Sequence, residues 1–311
     1  MIKLAILHLT WRCNLKCKHC FSNAKGDELK TDKAIELIDV LWDNGIEKLN
    51  FSGGEFLLRN DWPKIFDYAI KKDFRIYLQT NGTTITREVA NNLEEALVFV
   101  SLDYLGKKHD NLRGKEKTFE KAIQALNYLK NPWVRSTVFN DNVEDLKRII
   151  DMVCENEWGF AGFIFVPLGH GASISDRVPD AKMLKEVYEY ALEKSNFYSK
   201  IVVRDFYFFL KNKERFEKRK KRFKKFGYCP AGRFRLSIDP LGNVNPCPYI
   251  PIKAGNITKD DIDTIITRTM EISEKIRKIK IKKCYGCKHI NICKCGCLAH
   301  DICIIRELNL N

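Results

Sequence analysis

Residues Trp11-Arg12-Cys13-Asn14-Leu15-Lys16-Cys17-Lys18-His19-Cys20 decide how this chain folds. They follow an apolar run over residues 3–9 that predicts a strand. A C-x-x-x-C-x-x-C loop placed directly after a strand brings three thiols to one point and leaves no fourth cysteine nearby. Iron–sulfur cubanes normally take four cysteine ligands, so three leave one iron open to a substrate or cofactor. A zinc site that borrows His19, or three unrelated thiols, are the competing explanations.

Outward from that loop, short strand-like runs alternate with helical patterns. Strands are predicted at 48–51, 75–79, 97–102, 134–139 and 162–166, and helices at 61–72, 87–93, 119–129, 143–155 and 181–194. Thr31 and Asp32 stand where they can cap a helix that stops at Gly45. Such β-α repetition builds a parallel sheet. Six units are too few for an eight-fold barrel, so the expected fold class is α/β: a partial (β/α)6 barrel with its chemistry at the C-terminal strand ends, followed by a small cysteine-rich domain. The expected divisions are 1–195 for the barrel, 196–228 for a basic linker and 229–311 for the cysteine-rich part.

The 311 residues are 45% apolar and 30% charged, a composition that argues for an ordered globular protein and against disorder. The first strand starts almost at Met1 and is too short for a signal segment or a membrane span, so a cytoplasmic protein without a membrane partner is expected. Twelve cysteines in that reducing compartment read as metal ligands or catalytic thiols before disulfides. Cys154, inside a helical pattern, is expected to be a buried thiol. The net charge of +14 is partly local, because residues 211–225 hold ten Lys or Arg against two Glu. That run is either a solvated helical face or a lid that attracts carboxylates, phosphates or an acidic peptide.

With an aromatic residue, His19, just before its last cysteine, the 13–20 loop resembles the radical S-adenosylmethionine superfamily. The resemblance implies that Cys13, Cys17 and Cys20 hold a [4Fe-4S] cluster whose open iron chelates S-adenosylmethionine, which one electron then cleaves to a 5′-deoxyadenosyl radical. Ser52-Gly53-Gly54-Glu55 matches the family's Gly-Gly-Glu motif at the methionyl amino group. Gln79 and Asn81 after the third strand, and Ser101 and Asp103 after the fourth, resemble cofactor-binding strand ends, with Ser101 and Asp103 able to bond ribose hydroxyls. A turn or cap role competes at each of these polar positions. Ser136 and the backbone at Val166 are further expected contacts to carboxylate and adenine.

From Cys229 to Cys303 eight cysteines occur in 75 residues, too many for a core built on apolar periodicity, so this segment would fold around metals. Cys229, Gly242, Cys247, Cys284, Cys287, Cys293, Cys297 and Cys303 resemble the SPASM extension of one branch of radical enzymes; a zinc module is the alternative for the later cysteines. The resemblance implies one auxiliary cluster on Cys284, Cys287, Cys293 and Cys303 and a second on Cys229, Cys247 and Cys297, hence three [4Fe-4S] clusters. The second auxiliary set is one ligand short, its fourth site open or taken by Asp239, Cys295 or substrate.

The function so implied is hydrogen abstraction from a substrate by a radical enzyme, with modification of a peptide or protein side chain as the main reading and reduced ferredoxin or flavodoxin as electron donor. No leader-recognition domain is expected ahead of Lys3. Pro167-Leu168-Gly169-His170-Gly171 and Cys229-Pro230-Ala231-Gly232 look similar to maturases of quinone-type cofactors and of the haem pathway, so a tetrapyrrole or other acidic small molecule is the alternative substrate. Asp103, Tyr104, His170, Asp205 and Cys295 are the polar or thiol candidates for catalysis. A non-catalytic iron–sulfur electron carrier is the rival from another class. A nucleic-acid binder is not expected, because the basic run matches no groove-reading or base-stacking fold.

Overall fold

The computed structural model describes residues 2–22, 26–198 and 200–308; residues 309–311 of the cysteine-rich part lie outside them. The chain opens with β1 (Leu4–His8), α1 (Thr31–Asp43), β2 (Lys48–Ser52), α2 (Trp62–Lys71), β3 (Arg75–Thr80), α3 (Arg87–Asn91) and β4 (Ala96–Ser101). It continues through α4 (Gly106–Arg113), α5 (Thr118–Tyr128), β5 (Pro132–Val138), α6 (Val143–Glu155), β6 (Gly159–Ile164), α7 (Ala181–Phe197) and β7 (Ile201–Val203). After these come α8 (Phe206–Lys211), α9 (Lys213–Phe226), β8 (Arg235–Ile238), β9 (Asn243–Asn245), β10 (Gly255–Asn256) and the long α10 (Ile262–Ile281).

All strands form one sheet in the order β10-β9-β8-β1-β2-β3-β4-β5-β6-β7. Strands β1 to β7 pair in parallel, as β-α repetition requires, and among the described residues the two ends of the sheet, β10 and β7, do not pair, so the barrel is open. One face of the sheet buries Ala5, Leu7, Leu49, Phe51, Leu78 and Val100 under the helices. The other face lines the lumen, and there β5 places Trp133, Arg135 and Thr137, all half-buried, between the buried residues of its outer face.

Four local expectations change. The barrel has a seventh parallel strand, β7, where six were expected. Residues 196–228 are not a linker: besides β7 they hold α8, whose Phe206, Tyr207, Phe208 and Phe209 are all buried, and four consecutive aromatics cannot remain in solvent. Strand β8, in the cysteine-rich part, pairs in parallel with β1, so the two parts share a sheet. The residue before α1 is Lys30 without a side-chain cap, because the Thr31 hydroxyl donates instead to Asp61, 2.5 Å away.

The basic run forms α9, with Lys218 and Lys220 paired to Glu214 and Glu217 on its exposed side while Arg219 lies over the Phe209 ring. It is chiefly a solvated face. Among the described residues no helix is long and apolar enough to cross a membrane.

Candidate functional site

The loop after β1 runs along the loop after β2. Backbone N–H groups of Gly54 and Glu55 donate to the carbonyls of Thr10 and Arg12 at 2.9 and 2.8 Å. A Cβ on Gly54 would stand 2.1 Å from the Arg12 carbonyl oxygen, and Gly53 has a φ of +123°, so both glycines are required for the loops to touch. This contact puts Glu55 beneath the cysteine loop.

Cys13, Cys17 and Cys20 lie within electrostatic reach of one another, and burial pushes the Cys13 thiol up to about 11. Protonated thiols of this kind become ligands when a metal displaces the proton. Among the described residues no three His, Cys, Asp or Glu side chains share a single-ion site.

Glu55 is 1% exposed and accepts the Asn81 N–H at 2.8 Å on one oxygen; the Thr80 hydroxyl and the Leu57 N–H also reach its carboxyl, and Oε1 has no donor in full bonding geometry. Burial raises its carboxyl to about 7. A buried carboxyl oxygen open to a donor, beside the Cys13 thiol, is what a ligand ammonium group needs. Because the folded-state value lies above the unfolded one, ionising Glu55 costs stability, and that loss grows as pH rises from about 4.5 to about 7. Glu55→Gln is therefore expected to be more stable than wild type at pH 8, by about 2–3 kcal/mol in ligand-free protein, with the difference gone at pH 4.5, while S-adenosylmethionine binding falls. Melting curves across that range check it; a pH-independent difference would refute it.

The other side of the loop is held by a buried ion pair. Arg113, from α4, donates to Asp103 Oδ2 at 2.5 Å and to Cys17 Sγ at 3.8 Å. Burial alone would raise Asp103, but Arg113 and the neighbouring histidines hold it well below the usual carboxylate range. Its second oxygen accepts the Thr137 N–H at 2.8 Å. Each Asp103 oxygen thus has one partner, and Asp103 holds Arg113 in place. His19 is kept neutral, its value lowered to about 3 by burial and then by Arg113, and its ring meets Phe139 edge-on.

A family model described as the radical SAM superfamily matches residues 7–153, and one described as an iron–sulfur cluster-binding domain, SPASM, matches residues 229–289. The chain is 31% identical to the AdoMet-dependent heme synthase of Methanosarcina barkeri, over 96% of this chain and 91% of that protein. The chain belongs to the radical S-adenosylmethionine superfamily. It is also 29% identical to mycofactocin maturase MftC of Mycolicibacterium smegmatis, covering 94% of this chain and 76% of that one. In fold it is similar to Streptococcus suis SuiB bound to the precursor peptide SuiA, with a TM-score of 0.75 at 18% identity, over 100% of this chain and 73% of that one.

This radical S-adenosylmethionine enzyme therefore takes S-adenosylmethionine and iron–sulfur clusters as cofactors, and the residues fit them. Cys284, Cys287, Cys293 and Cys303 line one cavity together with Cys295. Cys229, Cys247 and Cys297 form a second group, in which a Cys229–Cys297 hydrogen bond raises the first thiol and lowers the second. Arg235 donates to Cys247 Sγ at 3.1 Å, a counter-charge for a thiolate. Cys295 has φ +72° and lies within electrostatic reach of both Cys284 and Cys229, between the two groups.

Asp239 is not available as the missing ligand, because Leu241 and Asn243 N–H groups and the Asn243 amide occupy its oxygens in the β8–β9 turn. Other expected contacts also have local duties. Gln79 accepts from Arg135 at 2.7 Å, Asn81 holds Thr83 and Asn14, and the Ser136 hydroxyl donates to the Leu102 carbonyl. Ser101 sits at the end of β4, in register with Arg135 on the lumen face. Val166 follows β6, half-buried. Tyr104 bonds Asp141 and Arg177, Asp205 caps α8 through the Tyr207 N–H, and His170 is exposed next to Gly171, whose N–H donates to the Cys20 carbonyl at 3.0 Å.

Sequence reasoning missed Arg113, Arg135, Arg235 and Tyr249. Each is an isolated residue in its segment, and only the fold brings it to the site.

Proposed function

We propose that this enzyme holds three [4Fe-4S] clusters, the first on Cys13, Cys17 and Cys20 and the auxiliary pair on the two later cysteine groups, and that it modifies a peptide or protein side chain. Bound at the first group, S-adenosylmethionine and its cluster supply a 5′-deoxyadenosyl radical that abstracts a substrate hydrogen. The chain's own residues do the rest. Glu55 receives the methionyl ammonium, with Gly53 and Gly54 letting the backbone close on it, and Ser101 meets the ribose side. Arg113 offsets the charge of the thiolate loop, and Phe139 beside His19 keeps water away.

The observation that carries this reading is the buried Glu55 carboxyl, with Oε1 open to a donor, beside the Cys13 thiol of the loop after β1. The precursor peptide held by SuiB supports a peptide substrate. A tetrapyrrole is the second reading, supported by the heme synthase relative at 31% identity. Reduced ferredoxin or flavodoxin would deliver the electron, in the cytoplasm. Anaerobic reconstitution followed by a 5′-deoxyadenosine assay tests the proposal: about four irons per cysteine group and dithionite-dependent deoxyadenosine are expected. Fully loaded, reduced protein that leaves S-adenosylmethionine intact would overturn it.

A further inference from the structure

Two guanidiniums inside the barrel have no carboxylate partner among the described residues. Arg135 lies on the lumen face of β5, its Cζ 4.4 Å from the Phe163 ring centroid, and Arg204, just after β7, approaches the same ring at 6.0 Å. The hydrogen-bond partners of Arg135 are neutral: Gln79 Oε1 at 2.7 Å and the Tyr249 hydroxyl at 3.2 Å. Tyr249 meets Phe21 edge-on at 5.5 Å, and Phe21 follows Cys20 while Tyr249 follows Cys247 by two residues. The pair therefore stands between the first cysteine loop and the Cys229, Cys247 and Cys297 group.

The charges around Arg204 make the imbalance sharper. Its charged neighbours are Arg235, Arg219 and Arg222, with the Tyr228 phenol, and Arg235 is already engaged by Cys247. Arg204 keeps accessible surface, yet desolvation lowers its value. Desolvated like charges are costly unless an anion joins them.

We propose that Arg135 and Arg204 form a carboxylate receptor in the lumen, which holds an acidic group of the substrate against Phe163. Two forked guanidiniums suit a planar carboxylate, which each can meet with paired N–H donors. Both guanidiniums lie near the Phe163 ring, and Gln79 with Tyr249 fixes the plane of Arg135. This rests on the proposed function only in placing the substrate in the lumen: the receptor orients the molecule so that its reacting C–H lies toward the β4 and β5 ends.

The test is thermal shift on anaerobically reconstituted enzyme at constant ionic strength, with glutarate, a Glu-containing pentapeptide, its Gln counterpart, coproporphyrin III and the tetramethyl ester of that porphyrin as probes. Wild type is expected to melt roughly 2 °C higher with glutarate at ten times its Kd. The same shift is expected with whichever of the acidic peptide or the free porphyrin is the carboxylate's source, and not with the Gln peptide or the ester. Arg135→Gln and Arg204→Gln should lose it, Arg204→Lys should keep part of it, and Arg204→Gln without ligand should melt at or above wild type because a repulsive charge is gone. Substrate-free deoxyadenosine formation by wild type, measured on the same preparations, separates failure of the receptor from failure of radical initiation. No shift in wild type with any carboxylate, or equal shifts in wild type and both Gln variants, would overturn the receptor.

Discussion

Cys17→Ala is expected to reduce 5′-deoxyadenosine formation to background while leaving the two later cysteine groups loaded. Cys17 is one of three thiols in a loop that has no spare cysteine, since every other cysteine except Cys154 belongs to the later segment. Losing one ligand leaves two, too few to hold a cubane with an open iron. The change removes a small, half-buried side chain from a loop pinned independently by the Gly54 and Glu55 backbone bonds, so the fold should persist. Iron analysis of the reconstituted variant should show a loss of about four irons with the rest retained. Retained S-adenosylmethionine cleavage by fully characterised Cys17→Ala protein would show that this loop is not the initiating site.

Asp103→Ala is expected to destabilise the protein by about 3–5 kcal/mol, because it leaves the Arg113 guanidinium buried without its counter-ion. The side chains of Arg113 and Asp103 are 9% and 1% exposed and stand 2.5 Å apart, so solvent screens the pair little. For a chain of this length that loss lowers the melting temperature by roughly 5–8 °C. The double change Asp103→Leu with Arg113→Met removes both charges and should recover much of the stability. It should not recover activity, since Arg113 also donates to Cys17. If the single and double variants melt alike, the pair is not what holds the α4 segment against the thiol loop.

Much of the fold was legible before the structure. The parallel β-α order was readable because a half-buried lumen face and a covered outer face leave period-two runs between amphipathic helices, and six of the seven barrel strands appear within a few residues of their expected places. The seventh, Ile201–Val203, was hidden because three residues carry no period. Its neighbour α8 was hidden because the basic charges that follow it drew attention from the aromatic run. Strand β8 looked like part of a metal module, and nothing in Arg235–Ile238 says that it will pair with Leu4–Leu7.

The site divides along the same line. The sequence by itself determined the groups that act through local spacing: three thiols in one eight-residue loop, two glycines beside a glutamate, and a run of cysteines at ligand intervals. A loop presents such residues together whatever surrounds it. Only the tertiary structure decided what each polar side chain is free to do. Asp103 looks like a free carboxylate until α4 brings Arg113 onto it, and the Asp239 oxygens are met by N–H groups of its own turn. Arg135 looks like any strand arginine until Tyr249, 114 residues away, closes over it. A hydrogen-bonding group has a fixed capacity, and which partner fills it depends on distance in space, which the order of residues along the chain does not carry.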